Sequence, residues 1–427
     1  MSEKIYGIFL LLVVVWPLLL AIPALHSRLP RPRHLAVMPA VLLIALPGDS
    51  SLAMPWLLFG TGLAVDGEVR WILLMSVAIW LTAATVANSL RRNPAYDRAT
   101  TFFLLTLAGN LGAVLAADLV GFFGFSTLMG YGFYGLVVHA GDAEARRAGR
   151  LYLIFLIVAD LFLFEALLLA AFTTGDLRYE AMRQSMAGTF SSQFYLWMAL
   201  AGFALKAGIW PVHLWLTAVF KSAPLSTTLL LGGVPVAMGL LGAVRWLPFG
   251  ENAFYVLGMI ILTMGVAAIL YAVLRFFMRA PLKVLPAWGT VLATGLFTAA
   301  LGAGLAHPAV WSEYEYLTYP FIASLGIFLA AQTFAIGRLQ DKRQASDVDL
   351  QRVTVLDPWV ERWMSVIQRW AEDSVLRLRS LWRESWLKAV ELHRIVDRQK
   401  PVVRLGGWSA TITMFVLLGL VLAWLAE

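Results

Sequence analysis

Apolar runs about the length of one bilayer crossing recur along this chain, separated by short polar links. They fall near residues 5–25, 35–64, 70–90, 99–117, 119–139, 150–172, 193–219, 225–246, 254–277, 284–306, 316–337 and 408–426. A helix needs about 20 apolar residues to cross the hydrocarbon layer, so the pattern predicts an all-α polytopic membrane protein. The run at 35–64 is irregular: Pro47-Gly48-Asp49-Ser50-Ser51 divides it into pieces too short to cross alone, and it reads as one interrupted crossing. The first run is too long for a signal-peptide core and ends without a small-residue cleavage site, so it reads as a retained helix.

The links alternate in charge. Cations cluster at Arg28, Arg31 and Arg33, at Arg91, Arg92 and Arg98, and at Arg146, Arg147 and Arg150. They recur at Lys221, at Arg275, Arg279 and Lys283, and at Arg338, Lys342 and Arg343, while the links near 65–69, 118, 173–192, 247–252 and 307–315 carry fewer. Cation-rich links stay cytoplasmic. Twelve crossings with both termini outside satisfy every link, and splitting 35–64 into two breaks the parity.

The segment 344–405 has a different pattern. From Pro358 to about Gln399 it reads as one helix, with Asp357 as N-cap and proline at the first helical position. Trp359, Trp363, Ile367 and Trp370 form an apolar stripe, and the remainder is dense in charge, including Arg362, Arg369, Arg377, Arg383 and Arg394. This predicts an amphipathic helix lying at the membrane surface, roughly 60 Å long at the usual helical rise. It would either brace neighbouring subunits or rest on anionic lipid. The expected organisation is therefore N-terminal transmembrane helices (1–98), a central core (99–246), further transmembrane helices (247–343), the lateral helix (344–405) and a C-terminal anchor (406–427).

Composition agrees: 60% of residues are hydrophobic and 14% charged, against about 25% charged in soluble domains, and mean hydropathy is +0.76. The chain has no cysteine, which excludes disulfides and thiolate-held zinc or iron–sulfur sites. The net charge of +7 is accounted for by the link cations, so no nucleic acid is required.

Chemistry centres on Phe203–Arg245. Lys206 lies inside an apolar run, and Pro211, Pro224 and Pro235 interrupt the chain beyond it. An ionisable group in hydrocarbon costs from about 3 to more than 10 kcal/mol and usually marks an ion path. Broken backbone at membrane depth persists only inside protein or beside a wet cavity. The candidate partners are Asp160 and Glu165, both within 150–172. Five residues place them about 140° apart around a helix, so both cannot face one lysine squarely. His213 comes just after the break and is of a type that titrates near neutral pH; a hydrogen-bonded structural histidine is the alternative. Asp118 lies between two runs, where it serves either as a cap or in transport, and Lys221 adds a further cation. No metal spacing, haem pair, phosphate loop or nucleophile elbow is present, so the chain is expected to carry no cofactor, metal or catalytic site of its own.

The central stretch resembles the antiporter-like membrane subunits of respiratory complex I, shared with energy-converting hydrogenases and multisubunit cation/proton antiporters. The pattern that carries the resemblance is Lys206, Pro211, Trp215-Leu216, Ala223-Pro224 and Arg245, preceded by ADLVGFFGFSTLMGYGFYGLVVH (117–139) and by RLYLIFLIVADLFLFEALLLAAF (150–172), with Asp160 in the place of a familiar aspartate. The likeness covers about 100–245, and the tail resembles a shortened lateral helix. It implies a proton-translocating subunit of a larger redox-driven or ion-gradient-coupled complex in a bacterial inner membrane. The implied partners are other membrane subunits, the lipid bilayer and a soluble catalytic partner. The implied relay comprises Lys206 and a buried carboxylate, with His213, Lys221 and Asp118 as further stations.

The chain departs from that family at several positions. The family glutamate falls at Thr127, the proline after Trp-Leu is Thr217, and the next helix's lysine or histidine appears as Leu231 or Ala237. Glu165, absent from the usual pattern, is expected to replace the missing carboxylate. The resemblance leaves two alternatives: a structural paralogue that clamps neighbours without conducting, or the membrane half of a proton-gradient-driven inorganic-carbon uptake system.

Overall fold

A computed structural model describes residues 3–344, apart from 56, 58–59, 89–94, 140, 189–192, 251–252 and 278–281. The expected lateral helix and final span lie outside the described residues. The helices run in the order α1 (Glu3–Leu20), α2 (Pro23–His26), α3 (Pro32–Ala45), α4 (Gly67–Asn88), α5 (Ala95–Leu115), α6 (Leu119–Val138), α7 (Ala143–Thr174) and α8 (Tyr179–Gly188). They continue with α9 (Gln193–Ala207), α10 (Leu214–Ser222), α11 (Leu225–Leu231), α12 (Ala237–Trp246), α13 (Tyr255–Phe277), α14 (Leu285–Ala306), α15 (Pro308–Tyr314) and α16 (Thr318–Gln344). Among the described residues, eight helical stretches are long and apolar enough to cross a membrane, and α1, α3 and α9 are shorter apolar helices.

The structure revises the reading of 35–64. Helix α3 ends at Ala45, and the chain then forms a hairpin, β1 (Ser50–Ala53) antiparallel to β2 (Gly62–Val65), with Ser50 opposite Val65 and Ala53 opposite Gly62. The described residues are predominantly helical, consistent with the expected all-α class, and carry one small two-stranded sheet. The Pro47-Gly48 break turns the chain, with Gly48 at φ +97°, a conformation open to glycine. The hairpin is tied down at both ends: Tyr6 donates to the Pro47 carbonyl, Ala117 N donates to Gly62 O at 3.0 Å, and Arg70 meets Asp49 at 3.3 Å.

Helices α5 and α6, α7 and α9, and α13 and α14 form the main packed pairs. One contiguous core reaches from α1 to α16, with Trp80, Phe103, Phe122, Phe203, Trp215 and Trp246 fully buried. Small residues set the spacing, as expected where lipid supplies no hydrophobic drive between helices. A Cβ on Gly202 of α9 would stand 2.6 Å from Leu163 and 3.1 Å from the Ala159 carbonyl of α7. That close approach brings the end of α9 against the middle of α7.

Candidate functional site

Lys206 is the penultimate residue of α9. Gly208, at φ +62°, closes the helix: Gly208 N donates to Leu205 O at 3.3 Å and Ile209 N to Ala204 O at 2.9 Å. This is a glycine C-terminal cap of the Schellman type, which satisfies carbonyls the next turn would have used. Trp215 Nε1 donates to Leu205 O at 3.1 Å, further occupying the open end. A cation in the last turn also complements the negative end of the helix dipole. The chain then turns through Pro211, after a cis Trp210-Pro211 bond, and resumes at Leu214.

The Lys206 side chain points inward. Its ammonium lies 2.9 Å from Asp160 Oδ1, with both side chains at least nine-tenths buried, and donates to Ser126 Oγ at 2.9 Å. Ser126 in turn donates to Phe123 O at 3.1 Å. The ion contact is off the line of a well-directed hydrogen bond, so neither Asp160 oxygen has such a bond among the described residues. The Thr127 hydroxyl, where the resemblance would place a glutamate, is also buried without a hydrogen-bond partner among them. Beside the pair lies a cavity of about 10 Å³ lined by Ser126, Met129, Gly130, Tyr152, Lys206, Trp215 and Pro235, among others. That is room for one water at most.

Four helices, α6, α7, α9 and α10, and a π-helical turn meet here. Asp160 sits on the buried stripe of α7 with Tyr152, Leu156, Ala159 and Leu163. Tyr152 packs on Trp215 with centroids 5.1 Å apart and donates to Gly130 O at 3.3 Å. Gly232–Val236 forms the π-helical turn, with Pro235 inside it, and a wider turn of this kind accommodates a proline that cannot donate to the ladder. Polar contacts extend from the cavity through Met129, whose sulfur lies 4.0 Å from Asn110 Nδ2. Asn110 Oδ1 accepts from Trp80 Nε1 at 2.8 Å.

The remaining predicted site residues are not gathered at this point. Glu165 is exposed on the outward face of α7, so the expectation that it stands in for the missing carboxylate beside Lys206 does not match its position: Asp160 occupies that place. His213 is buried at the start of α10 and packs edge-on to Tyr271 (5.5 Å) and Trp288 (6.1 Å). Lys221 is about half exposed and meets Glu144 at 3.9 Å. Asp118 caps α6 by accepting from Gly121 N at 2.8 Å, and also accepts from Thr61 Oγ1 and from Gly62 N at 2.7 Å. Pro224 precedes α11 as its N-cap. Leu231 and Ala237 are buried apolar residues. Sequence reasoning missed Ser126 as the third member of the cluster; its place beside Thr127 in the matched α6 segment was the available signal.

A second buried cation, Arg245, ends α12. It donates to Ala113 O (3.0 Å) and Val114 O (2.8 Å) and faces the Phe122, Tyr179 and Tyr319 rings within 6.0 Å. It ties the C-terminal end of α5 to α12 and α16.

Several known proteins are similar. NAD(P)H-quinone oxidoreductase chain 4 2 of Thermosynechococcus vestitus is 27% identical over 291 residues, covering 66% of this chain and 54% of that protein. Hydrogenase-4 component B of Escherichia coli is 27% identical over 211 residues, 48% of this chain and 31% of its own. The chain thus spans about half the length, or less, of these curated relatives. Among solved structures, the Mrp complex from Dietzia sp. DQ12-45-1b matches with a TM-score of 0.64 at 19% identity over 79% of this chain and 65% of that one. The archaeal membrane-bound sulfane sulfur reductase matches at 0.62 and 18%, over 79% and 71%. The family described as “NADH:quinone oxidoreductase/Mrp antiporter, TM” matches residues 116–368, a range that contains Ser126, Asp160, Lys206 and the broken helices around them, and this chain, an integral membrane protein, belongs to that family.

Proposed function

We propose that this chain is a proton-translocating, antiporter-like subunit of a larger membrane complex, with the Lys206–Asp160 pair as its central relay. The observation that carries the reading is that pair: a buried lysine bridging a carboxylate and the Ser126 hydroxyl at the end of a broken helix, beside a water-sized cavity. A rearrangement that parts the two side chains would let Lys206 release a proton and recover one from the opposite side. Asp160 would hold the ammonium between transfers. In this reading a soluble catalytic partner supplies the driving force. The chain crosses a bacterial inner membrane twelve times with both termini outside, and the lateral helix of 344–405 braces neighbouring subunits. The test is proton uptake in vesicles carrying the native complex, comparing wild type with Lys206→Ala at matched assembly. Loss of uptake with the partner's reaction intact supports the relay, and unchanged uptake removes it.

A second reading, a structural subunit that no longer conducts, draws on the apolar residues at the family's charged positions. Leu231 and Ala237 are buried, and the Lys206–Asp160 pair is the one fully buried ion pair recorded among the described residues. The same vesicle measurement decides between them.

A further inference from the structure

Between residues 151 and 172, the exposed positions of α7 are Val158, Leu161, Glu165, Leu168 and Phe172. The spacing is 3, 4, 3 and 4, so these side chains form one seam along the helix, of the kind that meets another helix. The opposite face carries Asp160 and is buried in the bundle. Four members of the seam are large and apolar, with Leu161 65% and Phe172 90% exposed. The fifth is a carboxylic acid at its centre. Glu165 lies nine residues before the end of α7, about 14 Å along the axis at the usual helical rise, which is close to mid-bilayer depth. Among the described residues no ion pair is recorded for it.

A carboxylate facing hydrocarbon at this depth is among the most costly side chains to place in a membrane, and such residues normally face protein or water and pair with an opposite charge. We propose that the Val158–Phe172 seam docks a transmembrane helix of a different subunit, which presents a lysine or arginine to Glu165 at mid-bilayer depth. This extends the reading of the chain as part of a larger complex and rests on it. Charge complementarity selects the occupant. A second copy of the chain meeting along the same seam would oppose two carboxylates. The chain's own apolar segment 408–426 contains no lysine or arginine.

The test places a photo-crosslinking residue at Leu161 or Leu168 in the full chain within its native membrane, with Val266 on the exposed face of α13 as the comparison. The expected adduct joins the seam to a transmembrane segment of another polypeptide, with a lysine or arginine within one turn of the crosslink. Glu165→Gln should lower co-purification of that polypeptide at least tenfold, with the chain's own membrane level unchanged. Glu165→Lys paired with the partner's cation changed to glutamate should restore it. Adducts only to lipid, to a second copy of the chain or to 408–426 would overturn the proposal, as would a partner helix without a cation or undiminished co-purification with Glu165→Gln. Failure of the relay would leave this result standing, because the adduct is read without proton uptake.

Discussion

Neutralising one half of the Lys206–Asp160 pair should cost far more stability than neutralising both. At 2.9 Å, two unit charges in a medium of effective dielectric 20 attract by about 6 kcal/mol. Desolvation of both groups offsets much of this, but it is not recovered when one charge is left behind, and breaking a buried pair from one side costs about 3–5 kcal/mol. Asp160→Asn leaves the ammonium with Ser126 as its recorded hydrogen-bond partner, and Lys206→Met leaves the carboxylate with none. The double variant restores neutrality with similar volumes, and such replacements are often close to neutral. The pair is therefore expected to show a coupling energy of at least about 2 kcal/mol, a factor near 30 in equilibrium terms. Unfolding of the purified chain in micelles, followed by tryptophan fluorescence for wild type, both singles and the double, reads this out. Single effects that add to within about 0.5 kcal/mol would refute the coupling. Proton uptake should remain absent in the double variant although its fold is recovered, which separates the structural role of the pair from its role in transport.

Other sites give sharper structural outcomes. Asp118→Ala removes the cap of α6 and the acceptor for Thr61 and Gly62; it should cost about 1–2 kcal/mol and raise hydrogen exchange in Ser50–Val65, while proton uptake at matched assembly stays unchanged. Arg245→Met leaves the Ala113 and Val114 carbonyls without their donor. It should destabilise the chain by about 3 kcal/mol or more, from charge-assisted bonds worth about 1.5–3 kcal/mol each, with protection lost first at the end of α5 in hydrogen exchange.

How much of this is readable from the sequence depends on which physical term decides each feature. The spans come from local apolar composition, so long runs such as 119–139 and 254–277 correspond closely to α6 and α13. Lys206 stands out because a charge in an apolar run is costly in any fold. Its carboxylate partner is narrowed to Asp160 or Glu165, since 140° of helix separates them. Which one faces inward is set by the seating of α7 on α9 at Gly202, a tertiary contact with no local signature. Ser126 escapes notice because a serine in an apolar helix usually bonds its own backbone. The β1–β2 hairpin is hidden because four-residue strands look like fragments of an apolar run. It is held by distant partners, Asp118 and Ala117, that no short window contains.

The central claim is that Lys206 gives up and regains a proton, and Lys206→Arg tests it most directly. Arginine keeps the positive charge beside Asp160, and the cavity offers some room for the larger head, but a guanidinium does not release its proton under protein conditions. Proton uptake would be measured in vesicles carrying the native complex, with assembly and the partner's own reaction monitored alongside. The account predicts normal assembly, a stability close to wild type and at least a tenfold loss of uptake. Uptake near the wild-type rate in Lys206→Arg would contradict it, because a fixed charge would then be sufficient.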